Sequence, residues 1–281
     1  MISQHYYYRI FLQLSIIFVV FGSSLLVQSA KIPQQNSTSI QKQCNLQRKF
    51  QTDLIMQRFV TFGPNGRKFP ETNEQLNNYC DECNRLISKV EKYYEQCADG
   101  YNKNMAKISL YSLRHIMRTF CRSNNNSNSK KKQTNQQRKS AKKLKRLMAL
   151  TPCLNRHRLN ITCLDRFAER SWPLVDAPIG NEKISYICCD YTDAMECMNQ
   201  FIINVDCLRH EREFLMDFLE DIFQNVINAL CISENISDTD RCEKLEAKRP
   251  KFKNPNDINP DYKFKSFLMA ATEILNSIDK S

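Results

Sequence analysis

Residues 72–98 read TNEQLNNYCDECNRLISKVEKYYEQCA, and the spacing within this stretch decides the fold class. Leu76, Cys80, Cys83, Ile87, Val90, Tyr94 and Cys97 recur at intervals of three and four, which places them on one face of a helix. Thr72 with Gln75 three residues on is a capping-box start, and Gly100 stands just past the end. Apolar side chains and cysteines therefore share one stripe, so the helix presents its sulfurs to whatever covers it.

Working outward, residues 181–205 repeat the pattern with Ile184, Cys188, Tyr191, Met195, Met198, Ile202 and Val205. Residues 208–231 do so with Leu215, Phe218, Leu219, Ile222, Phe223, Val226, Ile227 and Leu230. Further helices are predicted at 42–61, 103–121, 138–151, 161–170, 238–248 and 260–277, the last with Asn259 as cap and Pro260 at its first position. No stretch alternates with period two, and five glycines in 281 residues leave little material for tight β-turns. The expected fold is all-α: a disulfide-stapled bundle of amphipathic helices, as one domain or two packed helical halves.

The chain has 13 cysteines, at 44, 80, 83, 97, 121, 153, 163, 188, 189, 197, 207, 231 and 242. All follow an N-terminal stretch with the pattern of a secretory signal: Arg9, an apolar run from Ile10 to Phe21, and a small residue at the −1 position near Ser29 or Ala30. An uncleaved anchor is the rival, but Ile10 to Val27 is short for a membrane span and is interrupted by Gly22, Ser23 and Ser24. Cysteines in this number behind such a leader read as a disulfide framework in an oxidising compartment. Sequons at Asn36, Asn125, Asn160 and Asn235 agree with an extracellular glycoprotein.

Helix geometry restricts the bridges. Cys207 and Cys231 lie on one predicted helix and would be roughly 36 Å apart, against about 4.4–6.8 Å between bridged Cα atoms. Cys83 and Cys97 are excluded in the same way. The bridges must run from helix to helix. An antiparallel hairpin of 184–205 with 208–231, turning near Asp206, brings Cys188 or Cys189 to Cys231 and sends Cys242 back towards Cys197 or the preceding loop. Cys97 and Cys121 bracket a helix as Cys207 and Cys231 do, a faint echo between halves. The odd total leaves one thiol free, or paired between chains in a covalent homodimer.

The net charge of +11 is local. Residues 122–146 hold ten Lys and Arg and no acid, and the rest of the mature chain is formally neutral. A basic surface spread for nucleic acid is therefore not expected. The part from 122 to 140 is Asn-, Ser- and Lys-rich and reads as a disordered insertion. Its companion, Lys143-Leu144-Lys145-Arg146, offers a processing site at Lys145 and Arg146, or a patch for an extracellular polyanion. The domain reading is a signal peptide at 1–30, helical cysteine-rich halves at 31–121 and 141–249 around the insertion at 122–140, and a C-terminal linker and helix at 250–281.

Motifs that carry chemistry are set aside one by one. Cys80-Asp81-Glu82-Cys83 has redox spacing but lies within a helix, where two structural half-cystines are expected. Cys188-Cys189 matches the start of the Cys-Cys-x-x-His-Asp signature of secreted phospholipases, yet Asp190 to Asp193 follow without the catalytic histidine. His115, His157 and His210 have no partner at metal-binding spacing. Trp172 reads as packing a loop onto the core. No catalytic, cofactor or metal residue is assigned, and no enzyme is expected.

The series Cys153-x9-Cys163, then Cys188-Cys189-x7-Cys197-x9-Cys207-x23-Cys231-x10-Cys242, resembles the secreted cysteine-rich helical domains of unknown function abundant in nematodes and arthropods. That resemblance implies a small disulfide-stapled helical ectodomain and transfers no catalytic residue. Saposin-like lipid-binding domains are similar in combining amphipathic helices with cross-helix bridges, although their six-cysteine spacing is not matched. The expectation is a secreted, non-catalytic binding protein with an extracellular protein or apolar small ligand as partner. The alternatives are a carrier of a lipid or other apolar molecule, and a precursor cleaved near Arg146. No stable membrane span is expected once the signal is removed.

Overall fold

Two antiparallel helix pairs, each closed by a disulfide across its open end, form the frame of the molecule. The computed structural model describes residues 44–59, 63, 66–98, 100–125, 134–231, 239–251 and 259–278, all within the compact unit Ser39–Ser281. The leader, Asn36 and Asn235 lie outside these residues.

Helix α1 is Leu46–Gln57, α2 is Asn73–Cys97 and α3 is Gly100–Asn125. Thr72 caps α2 by accepting the Gln75 amide, as its capping pattern predicts. Gly100, expected as the stop signal after α2, instead opens α3 with φ of +46°. Helix α3 folds back along α2 and packs against it. Cys80, in the first third of α2, then reaches Cys121 near the end of α3, with Cα atoms 5.8 Å apart.

The second pair is α6, Glu182–Asn204, and α8, Arg212–Cys231, with the four-residue α7, Asp206–Arg209, at the corner. The continuous helix expected over 208–231 is therefore interrupted. Cys207, held by Cys153, fixes the corner, and the chain turns through Leu208–Glu211 before α8 begins. Cys188 joins Cys231 across the open end, which is the hairpin arrangement the spacing predicted. Cys242 pairs with Cys189, not Cys197, because α9, Thr239–Lys248, lies against α6. Cys197 is taken by Cys163 at the start of α5, Cys163–Val175.

Bridge for bridge, the two halves correspond. Cys44–Cys97 and Cys80–Cys121 span 53 and 41 residues; Cys153–Cys207 and Cys188–Cys231 span 54 and 43. The faint echo in sequence is thus a shared bridge scheme. Equivalent helices α3 and α8 pack against each other, joined by an Asn225 amide donating to Ser112 Oγ at 3.1 Å. The C-terminal α10, Phe267–Asn276, touches α1, α3, α5 and α6 and buries Met269 and Ile274 completely. Pro260, expected to start this helix, starts a single 3-10 turn; Ser266 caps α10 itself. Trp172 donates to the Phe264 carbonyl at 2.8 Å, pinning the approach to α10 onto α5.

The remaining helix, α4, is Asn135–His157 and runs through Pro152. Proline cannot donate to the carbonyl four residues back, and here the Thr151 hydroxyl donates to that Met148 carbonyl instead. With α3 ending at Asn125 and α4 starting at Asn135, helix enters both ends of the stretch read as a disordered insertion over 122–140. Residues 126–133 lie outside the described set.

Cys83 corrects the reading of Cys80 and Cys83 as two half-cystines: only Cys80 is bridged. At 1% exposure the Cys83 thiol is not placed to join a second chain. Burial pushes it up to about 11 despite a hydrogen bond with Tyr79, so it is neutral and unreactive at physiological pH. Two outcomes are expected. A maleimide adds nothing to the native, unreduced protein and one equivalent after denaturation, read by intact mass. Replacing Cys188 and Cys231 together by Ala lowers unfolding free energy by about 4 kcal/mol in a denaturant titration, the chain-entropy value for a loop of this length.

Candidate functional site

The helices that build the core do not close it. Where α2, α3, α4, α6, α8 and α10 converge they leave a cavity of about 240 Å³. Its wall draws on both halves, with Tyr94 from α2, Leu110 and Met117 from α3, Met198 from α6, and Leu219 and Phe223 from α8. An engineered cavity of ~150 Å³ already takes up benzene or xenon, so this one has room for a larger apolar molecule.

The chemistry of the wall is uniform. Among the described residues, no Asp, Glu, Lys, Arg or His lines it. Most of its hydroxyls are spent inside the protein. Tyr94 donates to Thr272 Oγ1 at 3.1 Å, Thr272 to the Leu268 carbonyl at 2.7 Å, and Ser109 to the Met105 carbonyl at 2.9 Å. Tyr79 donates to the Phe59 carbonyl. Tyr191, its ring edge-on to Phe223, has no hydrogen-bond partner among the described residues; burial, then the charge of Glu220, pushes it up to about 12. Burial likewise raises Tyr79 and Tyr94. These phenols stay protonated, and the wall offers a guest dispersion and little else.

Charged groups gather elsewhere, and there they hold helices together. Asp190 on α6, buried, accepts two hydrogen bonds from Arg249, at 2.5 and 3.2 Å, and one from Arg170 Nε at 2.8 Å. Glu246 on α9 is shared by the same two arginines. Burial pushes the Asp190 carboxyl up, and Arg249 and Arg170 pull it back. Lys183, also buried, donates to the carbonyls of Val175 and Ser277, both at 3.1 Å, and to Ser277 Oγ at 2.8 Å. It thereby ties the C-terminal ends of α5 and α10, where helix dipoles favour a cation. Sequence reasoning missed it, because a lysine one residue into α6 looks like an ordinary surface cation.

Of the residues singled out in sequence, twelve cysteines form the six bridges. Asn160 is exposed on the 3-10 turn Arg158–Asn160, with Thr162 also exposed, a geometry open to glycosylation. Asn125 is the last residue of α3. His157 comes together with Cys153 and Cys207, their ligand atoms within 4.8 Å, a grouping its sequence position did not suggest. Both sulfurs are bonded to each other, so neither is the thiolate that a metal ion requires. Lys145 and Arg146 lie in mid-α4, where Arg146 Nε contacts Glu211 Oε2 at 2.5 Å and its guanidinium covers the Phe214 ring. A protease would have to unwind the helix to read them.

The chain matches no protein-family model, no curated protein and no solved structure. Geometry therefore carries the functional reading. For the buried ion cluster it predicts a purely structural role: Arg249→Met costs about 3 kcal/mol of stability by leaving buried Asp190 with Arg170 alone, while leaving uptake of an apolar probe by the cavity unchanged.

Proposed function

We infer that the protein is a non-catalytic extracellular binding protein that encloses a single apolar chain or similarly slender apolar molecule between its two helical halves. The observation that carries this reading is the 240 Å³ cavity with its uncharged, largely self-satisfied wall. Six bridges fit folding in an oxidising compartment, and among the described residues no helix is long and apolar enough to cross a membrane.

Energetics support an occupant. At ~24 cal/mol per Å³ an empty cavity of this size costs on the order of 6 kcal/mol, a large fraction of a domain's net stability. Filling it recovers that loss. The volume lies below the ~300 Å³ at which drug-sized pockets begin, which leaves room for one slim chain or one small aromatic molecule. Recognition by an exposed surface has less support. Leu54, Tyr111 and Leu159 are exposed singly, as on ordinary protein surfaces.

Displacement of the neutral fluorophore N-phenyl-1-naphthylamine by n-alkanols tests the reading. Each added methylene is expected to tighten binding about fourfold, from ~0.8 kcal/mol per buried CH₂, until the cavity is full and the gain stops. Ala194→Leu, which adds bulk to the wall, should raise melting temperature and weaken the longest alcohols by at least tenfold. Absence of chain-length dependence, or longest-alcohol binding untouched by Ala194→Leu, would sink the proposal.

A further inference from the structure

We propose that the guest is an anionic single-chain amphiphile whose head group is received by Lys143 and Arg146 at the seam between α4 and α8; this rests on the cavity reading above. The two helices face the same void, α4 with Leu144, Leu147 and Met148 and α8 with Phe218, Leu219 and Ile222. Their backbones are not among the closely spaced helix pairs of the fold, although Leu147 and Leu154 on α4 share an apolar cluster with Phe214, Leu215 and Leu219 on α8. What joins them at the surface is a pair of ion contacts, Lys143 Nζ to Asp221 Oδ2 at 3.1 Å and Arg146 Nε to Glu211 Oε2 at 2.5 Å.

Lys143 and Arg146 flank the cavity wall on α4 without lining the cavity themselves. Lys143 precedes Leu144 and Arg146 precedes Leu147, so each charge stands next to a side chain that forms the wall. Arg146 also lies over Phe214, 4.5 Å from the ring centre, which holds its guanidinium at the seam and leaves its other edges for an anion. Both cations are about half exposed. Exposed pairs of this kind are weak, so a carboxylate or phosphate arriving with a buried tail can displace Asp221 and Glu211.

The surrounding charge favours such an exchange. Helix α4 carries no acid, and Lys139, Lys142 and Lys145 are exposed cations without an acidic partner among the described residues. Helix α8 opposes them with Glu213, Asp217, Glu220 and Asp221, four acids against the seven Lys and Arg of α4. The basic segment thus acquires a role at the cavity that neither proteolytic processing nor a polyanion partner supplies. The apolar wall takes the tail, and the seam takes the charge.

The experiment compares dodecanoate, dodecyl phosphate, dodecanol and inorganic phosphate as competitors of N-phenyl-1-naphthylamine at low and high salt. Dodecanoate and dodecyl phosphate are expected to bind at least tenfold more tightly than dodecanol at low salt, with the advantage shrinking as salt rises, while inorganic phosphate does not displace the probe. Lys143→Gln with Arg146→Gln should erase the advantage and leave dodecanol binding as it was. Asp221→Asn with Glu211→Gln should enlarge it, a gain that misfolding cannot produce. Equal affinity for dodecanoate and dodecanol, or an anion advantage that survives the Lys143/Arg146 change, overturns the head-group site while the cavity reading stands. Failure of every alkyl competitor overturns both.

Discussion

The structure depends on one covalent constraint used twice: a disulfide that ties the start of one helix to the end of the antiparallel helix after it. Cys80–Cys121 and Cys188–Cys231 fix the spacing within each pair, and the pairs then meet through α3 and α8. A helical bundle held only by side-chain packing closes on its own voids, because burial is what keeps it folded. Here six bridges, each typically ~2–4 kcal/mol, supply stability that packing would otherwise have to provide. The frame tolerates a hollow centre because its walls are tethered covalently, by Cys80–Cys121 at the cavity wall itself and by the other bridges away from it.

The halves share this scheme and then diverge. The second adds Cys163–Cys197 and Cys189–Cys242, so α5 and α9 are fastened to the two halves of α6. The first has Cys83 unbridged inside its core. Helix α10 completes the asymmetry: it is held to α1 by Lys49–Glu273 and by the Asp53 carboxylate accepting the Ser266 amide, and to α5 and α6 through Lys183. The C-terminal segment is thus the piece that locks the two pairs around their common void.

Much of this was legible in the sequence for a geometric reason. A stripe at intervals of three and four specifies a helix whatever covers it, and helix rise alone excludes Cys207–Cys231 and Cys83–Cys97. The hairpin of α6 and α8 followed from those two facts. What escaped depends on separations between helices. Cys80 and Cys83 sit on the same stripe, and only the end point of α3 decides which of them is bridged. Leu110, Met117, Leu219 and Phe223 follow the pattern that a solid core would show, so spacing could not reveal that they surround empty volume. Lys183 carries no local signal, since its partners lie at the ends of α5 and α10.

The division of chemistry across the fold follows from the same separations. Charges inside are matched in place: Asp190 by two arginines, Lys183 by two carbonyls and a hydroxyl. A buried charge so arranged has its interactions spent and resists reorganisation, because moving it exposes a desolvation cost of several kcal/mol. Charges along the α4–α8 seam are matched only loosely and in water, where exchanging one carboxylate for another costs little. The interior clusters therefore hold their helices in fixed relation, while the surface charges along the seam can exchange partners without disturbing them.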